Sequence, residues 1–146
     1  MRNYEQLDKA IFNAETGVLY LESAAATAGM GIVAMRKEGA YVAISVSYGP
    51  LEIALRPRLH ELSRVLGRLQ PVEGFSTTRQ IGTGQAFLSL GLRPDGFLIM
   101  RPTLVADAAG HITFNLLLTD LVRQKLFEWL PVDPNASTGE FPTVSS

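Results

Sequence analysis

Cysteine is absent from all 146 residues. That removes disulfides, thiolate nucleophiles and cysteine-based zinc sites together, and it agrees with a reducing compartment such as the cytosol. Histidine is almost as scarce, with only His60 and His111. His60 falls on a charged helix face and His111 opens a strand after a turn, and neither has an acidic or serine neighbour in a known catalytic arrangement. A nucleophile needs a base within reach, and a transition-metal site needs a fuller set of imidazole or thiolate ligands. Acidic residues are scattered singly, so no carboxylate pair argues for acid/base work. An excess of positive charge is missing too: 13 basic and 14 acidic residues leave a net charge of −1, which supplies no basic face for nucleic acid. No apolar run approaches the length of a membrane span. The opening MRNYEQLDKAIF is polar and amphipathic, unlike a secretory signal, so the acceptor-like Asn135-Ala136-Ser137 reads as chance. The expectation is a cytoplasmic, non-enzymatic protein with no cofactor, no metal, and neither nucleic acid nor membrane as partner.

What is present is a globular composition, 47% hydrophobic and 18% charged. The length is that of one domain. A single α+β domain over residues 1–132 is predicted, followed by a flexible tail, 133–146, rich in Pro, Ser and Thr and lacking periodicity. The centre is the stretch 86–117, which reads as three strands joined by two turns. Arg93-Pro94-Asp95-Gly96 is the firmer turn: proline presets φ, aspartate tolerates the bend and glycine supplies positive φ. Residues 97–106 are apolar on both faces, as a central strand covered twice would be. Pro102 cannot donate to a ladder, so it predicts a bulge, an edge or a break there.

Upstream, residues 3–14 fit a helix, with Asn3 as cap, Gln6 at capping-box spacing, and Tyr4, Leu7, Ile11 and Ala14 on one face. Gly17 is a plausible stop for it. Strands follow at 18–21 and 32–35, then a turn at Lys37-Glu38-Gly39, then strands at 41–48 and 51–55. A second helix opens at Pro57, with Leu59, Leu62, Leu66 and Leu69 as its apolar stripe. Residues 73–85 form a loop by composition, and a third helix, 120–130, is capped by Thr119 with Leu118, Val122, Leu126 and Trp129 inward. The class is therefore α+β: antiparallel sheets of two meanders with N-terminal, central and C-terminal helices.

Candidate contact residues come from the aromatics and arginines near the second meander. Phe75, Phe87, Phe97, Phe127 and Trp129 gather around the loop, the meander and the last helix; such residues build cores and also anchor interfaces. Arg101 is either a paired side chain at the sheet margin or an anchor for a partner's carboxylate. Phe75, Arg79, Arg101 and Trp129 are the partner-binding candidates. Gly82-Thr83-Gly84 lacks the final glycine of a dinucleotide fingerprint and the Gly-Lys-Ser/Thr of a P-loop, and it precedes a strand rather than a helix. Thr78 and Arg79 still leave open an anion or phosphorylated metabolite at the 77–84 loop, in a ligand-binding domain or weak enzyme.

The order helix, antiparallel strands, long helix, further strands, terminal helix resembles the small secretion-chaperone-like α+β family over most of residues 3–130. That resemblance implies binding of an extended client segment, and commonly a homodimer. The texture of TTRQIGTGQAFLSLGL and of the run from Arg101 to Leu130 also looks like cyanobacterial carboxysome-assembly chaperones, which implies holding a shell protein's C-terminal extension. The reading that follows is a non-catalytic binding or assembly-chaperone domain whose partner is another protein.

Overall fold

Asn13 and Gly17 turn the chain where a helix was the expectation. In the computed structural model, which describes residues 4–24, 32–82, 84–106 and 110–132, no helix occupies residues 4–14. Two strands do, β1 (Glu5–Leu7) and β2 (Lys9–Asn13). The side chain of Asn13 accepts from the N–H groups of Glu15 and Thr16, and Gly17 adopts φ 75° with its own N–H on the Asn13 carbonyl. That closes a hairpin onto β3 (Val18–Glu22). The residue read as a helix stop is therefore the left-handed residue of a β-turn. Tertiary pairing overrides the helical periodicity: Leu7 is fully buried in the strands, while Ile11, which a helix would place on the same face, is 41% exposed.

β2 and β3 continue into a five-stranded antiparallel meander with β4 (Ile32–Glu38), β5 (Tyr41–Tyr48) and β6 (Leu51–Leu55). The turn after β4 falls at Gly39-Ala40, two residues later than the sequence suggests, since Lys37 and Glu38 pair with Val42 and Tyr41. The helix α1 (Leu59–Gly67) starts after Arg58 rather than at Pro57. The Pro57 carbonyl accepts from the Val42 N–H instead, so the proline closes the connection to β5.

The second sheet has the order β1, β11 (Leu116–Leu118), β9 (Leu98–Val105), β8 (Ala86–Leu92), β7 (Arg79–Ile81), with β10 (His111–Thr113) also on β9. β7 lies inside the segment read as a loop. β1 runs parallel to β11, so the chain changes sheets at Asp8. Helix α2 (Asp120–Trp129) follows β11, and the Thr119 side chain accepts from the Val122 N–H as the cap requires.

The inner faces of the two sheets share one core. Leu21, Met35, Ile44 and Val46 come from the first, Leu88, Leu90, Leu98 and Met100 from the second, with Leu62 and Leu66 of α1 and Val122 and Leu126 of α2. Each such side chain contributes about 1.5–3 kcal/mol by burial. Among the described residues no helix is long and apolar enough to cross a membrane. The tail at 133–146 and the turn residues 107–109 lie outside the described residues.

Candidate functional site

Pro102 explains where the second sheet opens. It stays in register inside β9, opposite Leu88, and is itself buried. Its carbonyl accepts from the Phe114 N–H, so its nitrogen faces the third strand of the meander. With no N–H to offer there, pairing fails at Phe114 and Asn115. The single third strand predicted by alternation is split into β10 and β11. The break is thus in the partner strand, not in the one that carries the proline.

A cleft of about 210 Å³ opens at that break. Tyr4 and Glu5 line it from β1 and its approach, Tyr48 from the end of β5, and Phe114, Asn115 and Leu116 from the gap itself. The rings of Tyr48 and Phe114 stack at 6.2 Å. Burial pushes the Glu5 carboxyl above its ordinary value. The apolar surface continues outward: Tyr48 is 45% exposed, Leu51 opposite it 49%, and Ile112, two residues before Phe114, 43%. These side chains have the alternation of the inner face. They stand where the two sheets diverge and leave their edges uncovered.

On the outer face of the second sheet, residues 71–78 form a strap. It leaves the sheet edge at Val72, whose N–H is on the Leu92 carbonyl, and returns at Thr78, whose N–H is on the Leu90 carbonyl. Between them it crosses Gly91 and brings Phe75 onto Tyr4, with ring centroids 4.6 Å apart. This is the second cover that the doubly apolar β9 called for, and Ile99 beneath it is fully buried. Arg101 ties these parts together. Its Nε donates to the Asn115 side chain at 2.8 Å, and its Nη2 donates to the Tyr4 hydroxyl and to the Phe75 carbonyl at 3.2 Å. Arg93 holds the strap's other end through the Gly74 carbonyl at 2.9 Å and lies over the Phe75 ring.

Asp95 completes that end. Its carboxylate accepts from Arg93, which holds its pKa below the ordinary value, and also from the Phe97 N–H. A group depressed in the folded state contributes stability above its unfolded pKa and loses that contribution as pH falls through the folded one. Acidification below about pH 4 should therefore loosen the Arg93 end of the strap. Amide chemical shifts of Gly74 and Phe75 followed against pH will show it, and Asp95→Asn should flatten the curve.

Of the four residues singled out from the sequence, Phe75 and Arg101 meet at this site. Arg79 does not. It sits exposed on the edge strand β7, in register with Leu90 and so facing the side of α1. The backbone around it is committed to the sheet, and the nearby cleft at Gly82 is walled by Arg56 rather than Arg79. Thr83 lies outside the described residues. Trp129 is half-buried on α2 beneath the Lys37 ammonium at 5.0 Å, beside a separate shallow groove shared with Phe12 and Leu19. His60 and His111 are both exposed. Among the described residues no three His, Asp or Glu side chains gather to hold a metal.

Tyr4, Glu5, Tyr48 and Phe114 were not singled out. Extending the alternation of β5 by one step would have put Tyr48 on the inner face at the strand's end. Nothing local marks Tyr4 or Glu5, which reach the site through pairing with β11. Comparison with protein-family models, with curated proteins and with solved structures gives no match.

Proposed function

We propose that this chain is a non-catalytic protein-binding domain that receives an extended segment of a partner protein at the mouth between its two sheets. The observation that carries this reading is the uncovered apolar strip of Tyr48, Leu51 and Ile112, continuous through Phe114 with the cleft. Large aromatic and aliphatic side chains at a rim, beside a pocket and a few polar groups, are what a segment anchors on. An assembly-chaperone role, including one towards a shell protein's C-terminal extension, is a narrower form of the same proposal and supplies the first segments to try.

The test is binding by the full chain and by a Leu51→Glu variant. Leu51 is half exposed, so the substitution should leave the melting temperature within about 2 °C, the effect of a surface change. Capture of a stoichiometric partner from native lysate should fall at least tenfold. Equal capture by both proteins would move the contact away from this mouth. Sedimentation across a dilution series separates a second copy of the chain from a different partner.

A further inference from the structure

The cleft is small for a ligand site and has the right chemistry for a side chain. At about 210 Å³ it falls below the roughly 300–1,000 Å³ of small-molecule sites. Among the described residues that line it, the one ionisable side chain besides the tyrosines is Glu5, which is half-buried and shares the cleft with Tyr48, Phe114 and Leu116. A carboxylate withdrawn from water is costly unless paired. Among the described residues the ion pairs are Arg56 with Glu38, Arg93 with Asp95 and Arg123 with Asp120, and none includes Glu5. Among the described residues no cation opposes the effect of burial on the Glu5 carboxyl. Arg101, on the other face of the sheet, gives its hydrogen bonds to neutral acceptors on Tyr4, Phe75 and Asn115. The rings of Tyr48 and Phe114 line the cleft together with that carboxylate, and ring faces and carboxylate both attract a cation. The other grooves lack that bias: the one beside Trp129 carries Lys125 and Glu128 together, and the one on the outer face of the first sheet holds the Arg56–Glu38 pair.

We propose that the cleft takes one lysine or arginine side chain of the bound segment, with the Glu5 carboxylate as its counter-ion and Tyr48 and Phe114 as its aromatic walls. This rests on the protein-binding reading above and adds to it the chemistry of the anchoring residue.

Selection of random dodecapeptides on the full chain tests both. The enriched peptides should share one basic position. A synthetic copy should bind Glu5→Gln about tenfold more weakly, the scale of a partly desolvated cation contact. Replacing that lysine or arginine by norleucine should cost the same factor on the native chain and nothing further on Glu5→Gln. Glu5→Gln keeps the side-chain shape and removes a charge that burial disfavours, so its melting temperature should be unchanged or higher. If that variant does not fold, Tyr48→Leu on the exposed rim should weaken the basic peptide about threefold and leave the norleucine peptide unaffected. Enriched peptides without a basic position, or equal binding to Glu5→Gln, would overturn the cation site and leave the protein-binding reading standing. No enrichment on a folded chain would overturn both.

Discussion

Gly91→Ala should lower the melting temperature by about 2–12 °C. A Cβ at Gly91 would lie 2.2 Å from the Ser76 carbonyl oxygen and 3.0 Å from the Thr77 Cα. Both are backbone atoms, and that backbone is fixed on either side by Val72, Gly74, Phe75 and Thr78. A flexible side chain would swing away; here the strap must lift or β8 must bow. Overpacking of this kind typically costs about 1–3 kcal/mol, and a domain of this size loses roughly 2–4 °C per kcal/mol. Gly110→Ala is the matched control. Among the described residues nothing lies within 4 Å of its added Cβ, and neither glycine is among those with a left-handed φ, so only the Gly91 substitution meets packed backbone. Thermal unfolding of the pair decides it: equal melting points would mean that the strap does not seat on Gly91.

Arg101→Leu should cost about 2–3 kcal/mol in denaturant unfolding of the free protein. Hydrogen bonds from a charged donor contribute roughly 1.5–3 kcal/mol net, and three acceptors lose theirs at once, although partial exposure lets water recover some of it. The sequence left two roles open for this residue, a side chain satisfied at the sheet margin and an anchor for a partner's carboxylate. The first predicts loss of stability in the free chain; the second predicts unchanged stability and weakened binding. The geometry favours the first, since Nε and Nη2 are both directed at groups of the chain itself. A double-mutant cycle with Tyr4→Phe should show a coupling of about 0.5–2 kcal/mol. Zero coupling would remove Tyr4 from the network.

Where local pattern and final pairing agree, the sequence sufficed. β5, β6 and β8 follow from alternation and turn residues, α1 from its leucine stripe, and α2 from the Thr119 cap. Residues 4–14 failed for a physical reason: Tyr4, Leu7 and Ile11 satisfy a helical period, while the strand structure is imposed by β3 and by β11, more than a hundred positions along. Pro102 was legible as a fault in the sheet. Which strand would yield to it was not, because that depends on the side to which its missing donor points. The site was half legible for the same cause. Phe75 and Arg101 announce themselves by residue type in an unusual setting, whereas Glu5 is an ordinary surface glutamate until β1 is laid beside β11.

That pairing also sets the order in which the molecule can assemble. Glu5 meets Leu116, and the Leu7 carbonyl accepts from the Thr119 N–H. The loop closed by these contacts spans most of the described chain, and contacts of such separation slow folding because chain entropy is lost before they form. On a ribosome, the five-stranded meander can form its hairpins as they emerge. β1 has no partner until the residues of β11 are out. The Glu5 wall of the cleft is therefore among the last parts of the domain to exist. Recognition at that cleft, as proposed, would report a finished fold, since a nascent chain could not engage there early.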